Sequence, residues 1–358
     1  MITIIYPYRN RESERVKRSL DSLNEQTNSN FEVLLVDYGS DSVSASVIKE
    51  LISNYKFVKY IYNYSEFQPW SRAKAINIGL KNVNTDYIFT ADVDMIFSPN
   101  FVSTLHEIKK PFKAYYLKVG FLNEKESKAD KKFEDFKIDF SSEVGAQGLS
   151  LFYLKSLKAV TGYDEFFHFW GAEDIDVHNR LEKNGTESIF YSEEILMLHQ
   201  WHTSYRKAEK TVLTKDLQLI DILRINYQKL LENTRSKRVE VNNVNWGNGI
   251  LENDFEDLKN DKEERLMLNK KEIVTHFLFC ELPNFKEGVL NIRFVKDPFQ
   301  NSSKYKMKKI LGKKVPKYYT LKEINDLLLL HTISFYHTLP YFLEVGDDLN
   351  SIAFKIKK

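Results

Sequence analysis

Four short apolar runs in the first hundred residues, each closed by polar residues and separated by an amphipathic stretch, restrict this chain more than any other feature. Ile2–Tyr6, Phe31–Val36, Phe57–Tyr62 and Tyr87–Thr90 are β-branched and aromatic runs of strand length. Between them, Glu12–Gln26 sets Val16, Leu20 and Leu23 at helical spacing, and Ser71–Asn82 does the same with Ala73, Ile76 and Leu80. A further helix is expected over 43–54. This alternation predicts βαβ crossovers, hence an α/β fold with a mostly parallel sheet flanked by helices. Ligands of such sheets lie outside the carboxyl ends of the strands. The polar residues after each run are therefore where chemistry is sought.

Tyr6-Pro7-Tyr8-Arg9-Asn10-Arg11 follows the first run. Arg9 and Arg11 offer forked donors suited to a diphosphate, and Tyr8 offers a face for a base. Cations at a helix start are electrostatically disfavoured, so a purely structural role explains the pair poorly. Asp37-Tyr38-Gly39-Ser40 follows the second run. Its carboxylate can accept from the imide N–H of a uracil or start an Asx-turn, and the two roles are compatible. Asp92-Val93-Asp94 follows the fourth. Two carboxylates at i, i+2 converge only where the backbone leaves regular extension, and hard oxygen ligands there suit Mg²⁺ or Mn²⁺ bridged to a diphosphate. Asp-X-Asp alone is common in solvated turns; its place at a strand end, between apolar residues, gives it weight.

Gly171-Ala172-Glu173-Asp174-Ile175-Asp176 opens another helix, directly behind Phe166, Phe167, Phe169 and Trp170. Acidic residues in a first turn are ordinary capping chemistry. Four aromatics upstream, however, make an apolar wall of the sort that stacks on sugar rings, and a carboxylate beside it is placed to deprotonate an acceptor hydroxyl. His199 and His202 follow about 25 residues past that helix start and are candidates to complete a metal site with Asp92 and Asp94.

Charge and cysteine content narrow the setting. Fifty-two Lys+Arg against 50 Asp+Glu leave a net charge of +2, which argues against a nucleic-acid binder. One cysteine, Cys280, excludes a disulfide framework and fits a reducing compartment. MITIIYPYRNR carries no signal-peptide pattern, and Leu327–Val345, interrupted by His331, His337, Pro340 and Glu344, reads as a buried helix and strand rather than a membrane span. A cytoplasmic protein is expected. Residues 123–143 are charged without a period and read as a surface loop, and a long helix is expected from Arg206 to Glu232, with Leu213, Leu217, Ile220 and Leu223 as its stripe.

Beyond residue 235 the chain turns Asn- and Lys-rich and carries no recognised motif. Residues 1–210 hold 27 basic and 30 acidic groups, a net −3, and residues 211–358 hold 25 and 20, a net +5. The expected division is a first domain over 1–235, with halves near 1–100 and 145–205, and a smaller α+β or helical module over 236–358. Within that module Lys304–Lys317 has seven lysines and no acid. It reads as a solvated basic face or, more sharply, as a peripheral contact with anionic lipid at the inner face of the membrane or with a charged glycan.

Five motifs in order give these features a common meaning: Pro7-Tyr8-Arg9-Asn10-Arg11; Trp70-Ser71-Arg72-Ala73-Lys74 with Asn77 and Gly79; Asp92-Val93-Asp94; Gly162-Tyr163; and Trp170-Gly171-Ala172-Glu173-Asp174, extended by Asn179-Arg180-Leu181 and Gly185. With these, the chain resembles the nucleotide-sugar glycosyltransferases of the GT-A fold, family 2-like, over roughly residues 1–210. Its sites are most similar to those of β-1,4-galactosyltransferases and of bacterial galactosyl- and N-acetylgalactosaminyltransferase domains.

The resemblance implies an inverting, metal-dependent transfer of a hexose or N-acetylhexosamine, Gal or GalNAc favoured, from a UDP-sugar to a saccharide or lipid-linked saccharide. It implies that Pro7, Tyr8, Arg9, Arg11, Trp70, Arg72 and Val93 line the donor site and that Asp37 meets uracil. Asp94 would bind Mn²⁺ (or Mg²⁺), and Asp92 would bind it or orient the sugar. Asp174 would be the base, with Trp170, Gly171 and Glu173 on the acceptor. His202 falls at the family's metal-ligand histidine, and His199 where that family has a methionine. Two departures stand out: Ala172 replaces the family's second glycine, and Ile175 replaces one acid. A sugar-nucleotide pyrophosphorylase would want a Gly-rich loop after the first strand, where YPYRNRES has none. A non-catalytic glycan-binding scaffold would have no need of Asp92, Asp94, Asp174 and a histidine together.

Overall fold

The structure, a computed structural model, describes residues 1–203 and 211–358. These residues group into two compact units: 1–66, 70–203 and 223–249 form the first, and 67–69, 211–222 and 250–358 the second.

The first unit realises the alternation expected of its sequence: β1 (Ile2–Tyr8), α1 (Ser13–Asn24), β2 (Phe31–Tyr38), α2 (Ser42–Ile52), β3 (Val58–Asn63), α3 (Arg72–Asn82) and β4 (Tyr87–Thr90). Next come β5 (Met95–Phe97), α4 (Phe101–Ile108), β6 (Lys113–Leu117), β7 (Val119–Phe121), α5 (Glu124–Ser127), β8 (Phe140–Ser141), β9 (Ser150–Tyr153), α6 (Leu154–Ala159), α7 (Glu173–Lys183), β10 (Glu187–Tyr191), β11 (Met197–His199) and a helix at Ile222–Arg235. The central sheet runs β10-β6-β9-β4-β1-β2-β3 and is parallel except for β9, which is antiparallel to both its neighbours.

Strands β1 and β2 are apolar almost throughout because both faces are covered. Ile4, Tyr6, Val33 and Leu35 pack with Val16, Leu20 and Leu23 of α1 on one side, while Ile5, Leu34 and Val36 pack with Ala73, Ile76 and Leu80 of α3 on the other. Each large side chain buried here stabilises the fold by roughly 1.5–3 kcal/mol. A Cβ on Gly79 would stand 2.8 Å from the Ile5 side chain, so the glycine lets α3 lie close on β1.

Three expectations change. The charged segment 123–143 contains α5 and β8, and β8 pairs with β7 in a second sheet, β5-β11-β7-β8. Its charges lack a period because they serve local contacts: Glu126 accepts from the Lys131 ammonium at 2.7 Å and the Lys137 backbone N–H at 3.1 Å. The helix expected from Arg206 to Glu232 begins at Ile222, just after Asp221, whose φ of +58° lies outside the right-handed helical region. Residues 206–210 of that expectation lie outside the described residues, and 211–220 form no helix.

The third change is that residues 236–249 stay with the first unit although their composition resembles that of residues 250–358. The Asn242 amide donates to the carbonyls of Thr161 and Tyr163 at 2.7 and 2.6 Å, and Lys81 lies 4.1 Å above the Trp246 ring. Asn242, in the stretch whose composition suggested the start of a separate module, is therefore a hydrogen-bonding partner of the loop before α7.

The second unit is α+β. Its sheet runs β12 (Arg265–Leu268), β13 (Val289–Val295), β15 (Ser351–Lys357), β14 (Tyr341–Val345). The apolar stretch 327–345 forms the end of a helix at Leu321–Phe335 and then β14, as its interruptions suggest. Thr320 and Glu323 close that helix with a reciprocal capping box. Among the described residues no helix is long and apolar enough to cross a membrane.

Candidate active site

Because β4, β1 and β2 are adjacent and parallel, the residues after them gather at one edge of the sheet. At the end of β2, Asp37 is fully buried. One carboxylate oxygen accepts from the Ser40 backbone N–H at 2.8 Å and the other from the Tyr60 hydroxyl at 2.8 Å. Burial pushes its carboxyl above the ordinary range despite these hydrogen bonds and the nearby charge of Arg9. Each oxygen keeps a further acceptor site, but the residue has no exposed surface, so contact with a base requires a neighbouring group to move aside.

Arg9 donates to the Glu66 carbonyl, and Tyr8, buried after Pro7 at the end of β1, donates to the Arg11 carbonyl at 3.1 Å. Asn10, with φ +49°, ties the two loops together: its N–H donates to Ser40 Oγ at 3.0 Å, and its side chain accepts from the Asp41 N–H at 3.1 Å. Trp70 is half-buried and meets Tyr38 edge-on at 5.9 Å. Arg11 is exposed, and its charge acts on both Asp92 and His202.

Arg72 holds the centre of the site. Ser71 caps α3 by accepting from the Lys74 N–H at 3.1 Å and donates to the Phe167 carbonyl at 2.9 Å, which fixes the helix start from which Arg72 projects. The Arg72 guanidinium donates to Asp92 at 2.9 Å, to Asp174 at 2.7 Å and to the Gly148 carbonyl at 2.7 Å. Burial works against the Asp92 charge, but Arg72 outweighs it and the carboxyl is held below its ordinary value. Asp174 is raised, chiefly by burial. Beside it Glu173 is pushed up to about 7 by burial and by the Asp174 charge. Val93 is buried between the two aspartates of its motif.

Asp94 turns the other way. Its two oxygens lie 3.7 Å from His199 Nε2 and 3.6 Å from His202 Nε2. Strand pairing brings this about: β11 runs antiparallel to β5 with His199 opposite Met95, and the Gln200 N–H donates to the Asp94 carbonyl at 3.1 Å. Ligand atoms of the three side chains all lie within 4.8 Å of one another. Two groups bonded to one ion at about 2.1 Å stand roughly 3 to 3.4 Å apart, so modest closure suffices to share one. Burial holds the His202 imidazole below its ordinary pKa, which favours the neutral, ligating form. Asp92 is not in this group: one of its oxygens already accepts from Arg72.

The aromatic wall is smaller than the sequence implies. Phe167 and Phe169 are buried, whereas Trp170 is 46% exposed. The Phe169 N–H donates to the Trp70 carbonyl at 2.7 Å, which turns its ring inward. Gly171 and Ala172 both take left-handed φ, +99° and +76°, to bring Glu173 and Asp174 round to Arg72. Ala172 thus occupies a conformation that glycine adopts without cost.

Two family models match this part of the chain: "Glycosyl transferase family 2" over residues 3–132 and "N-terminal domain of galactosyltransferase" over 128–203. The chain carries a glycosyltransferase domain. An uncharacterised glycosyltransferase of Haemophilus influenzae is 24% identical over 246 residues, 66% of this chain and 80% of that one. Two solved structures are similar. One is a mannosyltransferase from Pyrobaculum calidifontis in complex with GDP-Man and Mn²⁺, 17% identical, covering 58% of this chain and 59% of its own, with a TM-score of 0.43. The other is GalNAc-T7 with UDP, GalNAc and Mn²⁺, 13% identical, covering 66% and 49%, with a TM-score of 0.49. This glycosyltransferase thus spans about half the length of those solved chains.

Of the residues its sequence singled out, the structure gathers Arg72, Asp92, Glu173 and Asp174 in one cluster, Asp94, His199 and His202 in a second, and Arg9, Tyr8 and Asp37 in a third. Asn10 and Ser40, from the motifs after the first two strands, complete these clusters together with Tyr60 and Gly148, which carry no local signal. Tyr60 reaches Asp37 from the next strand, and Gly148 lies before β9, which enters the sheet from far along the chain.

Proposed function

We propose that this glycosyltransferase moves a hexose or N-acetylhexosamine, Gal or GalNAc, from a UDP-sugar to a sugar hydroxyl by a single inverting displacement. The reaction would serve polysaccharide or glycoconjugate synthesis in the cytoplasm, with a saccharide or lipid-linked saccharide as acceptor. The observation that carries this reading is the Arg72 fork, which joins Asp174 to Asp92, the first acid of the motif whose second acid, Asp94, faces His199 and His202.

Asp174, held by one oxygen to Arg72, takes the acceptor hydroxyl's proton on its other oxygen while the acceptor's own oxygen bonds to C1 of the donor sugar. The bond from C1 to the diphosphate breaks, and Arg9 and Arg11 receive the charge that develops there. Glu173, near neutrality at about 7, is suited to hydrogen-bond an acceptor hydroxyl, and Trp170 offers it an apolar face. Asp94, His199 and His202 would hold a divalent cation, which as a Lewis acid supports the leaving diphosphate when bound. Two imidazoles with one carboxylate favour Mn²⁺ over the harder Mg²⁺. Asp92, engaged by Arg72, suits sugar orientation better than direct ligation.

The test is nucleotide release from UDP-Gal, UDP-GalNAc, UDP-Glc, UDP-GlcNAc and GDP-Man with Mn²⁺. UDP-Gal or UDP-GalNAc turns over fastest, and a chelator stops it. Preference for GDP-Man, or no nucleotide released from any donor, would overturn the reading.

A further inference from the structure

The helix Ser303–Ile310 in the second unit buries none of its residues. Ser302 caps it, accepting from the Tyr305 N–H at 3.1 Å. Tyr305 fixes one side of the helix to its own unit, meeting Phe299 edge-on at 5.7 Å and Tyr318 at 5.7 Å. At about 100° per residue, Met307, Ile310 and Leu311 stand at i, i+3 and i+4 on the side opposite Tyr305. They are 61%, 85% and 61% exposed. Lys304 and Lys308 flank this stripe on one side and Lys306 on the other, and Lys313, Lys314 and Lys317 continue beyond it. Exposed apolar residues are ordinary when scattered, but three in one stripe ringed by lysines form a two-part surface.

We propose that this face seats on an anionic lipid bilayer, with Met307, Ile310 and Leu311 entering the boundary between headgroups and acyl chains while the lysines meet the headgroups. Charge complementarity selects this occupant. From 304 to 317 the chain holds seven lysines and no acid, so a second copy presenting the same face would be repelled. A polyanionic glycan would use the lysines but leave the apolar stripe in water. A bilayer surface satisfies both, and a helix of this kind lies in the interface plane rather than crossing it. The inference does not depend on the proposed transferase chemistry.

The test is co-sedimentation of the full chain with vesicles of phosphatidylcholine alone and of phosphatidylcholine with about 30% phosphatidylserine. The chain pellets with the anionic vesicles only. The triple change Met307→Ser, Ile310→Ser and Leu311→Ser weakens binding about tenfold or more. Lys306→Ser with Lys308→Ser weakens it about 25-fold, near fivefold per lysine. Neither set alters nucleotide release with a soluble acceptor. Equal pelleting with neutral vesicles, or none with either, would overturn the proposal. So would a triple-serine chain that binds anionic vesicles unchanged, and heparin binding that survives the triple change without vesicle binding would assign the face to an acidic glycan instead.

Discussion

Arg72 shows how one side chain organises the site. It neutralises Asp92 and Asp174 at once, and a lysine could not reproduce its fork. Burial and the Asp174 charge push the Glu173 carboxyl up to about 7 against the pull of Arg72, which makes stability depend on pH. The ordinary value of this carboxyl is 4.5, so the folded state, which raises it, binds that proton more tightly than the unfolded chain does. The resulting stability is full below 4.5 and is lost as pH rises through about 7. Glu173→Gln removes this loss. Thermal melts should show the variant gaining on the wild type between pH 5 and pH 8 by on the order of 1–3 kcal/mol. An equal difference at both pH values would contradict the assignment.

Elements set where these residues point, and they differ in how openly the sequence declares them. The α3 start is legible because Ser71 precedes a helical apolar period, and the cap is formed. Ser71→Ala should cost about 1–2 kcal/mol in denaturant unfolding and slow turnover several-fold, since Arg72 is the next residue. Asp92-Val93-Asp94 and Glu173-Asp174 are legible for the same local reason: polar residues at the end of an apolar run. Exposure is not legible in this way. Phe167 and Phe169 read like Trp170 in sequence, yet a backbone hydrogen bond and a left-handed φ at Phe169 decide which rings face water. Pairing across strands is equally silent, as Tyr60 on Asp37 and His199 beside Asp94 show. The Asn-rich stretch 236–249 misleads because composition alone cannot distinguish the start of a new module from a segment whose Asn242 amide binds the carbonyls of residues 161 and 163.

At the scale of the whole molecule, a net charge of +2 is the sum of −3 over residues 1–210 and +5 over 211–358. The three residues proposed to hold the cation, Asp94, His199 and His202, all belong to the first unit. Mn²⁺ at about 100 times its Kd should therefore stabilise that unit by about 2.7 kcal/mol, seen as an upward shift of its melting transition. His202→Ala should abolish most of the shift; an undiminished shift would place the ion elsewhere. The proposed role of Asp174 as the base of a metal-assisted glycosyl transfer is tested by single-turnover kinetics of Asp174→Asn with a UDP-sugar, Mn²⁺ and acceptor. In the variant the chemical step should slow by roughly 10²–10⁴ with donor affinity retained. A wild-type rate in the variant, or a loss explained wholly by weaker donor binding, would contradict it.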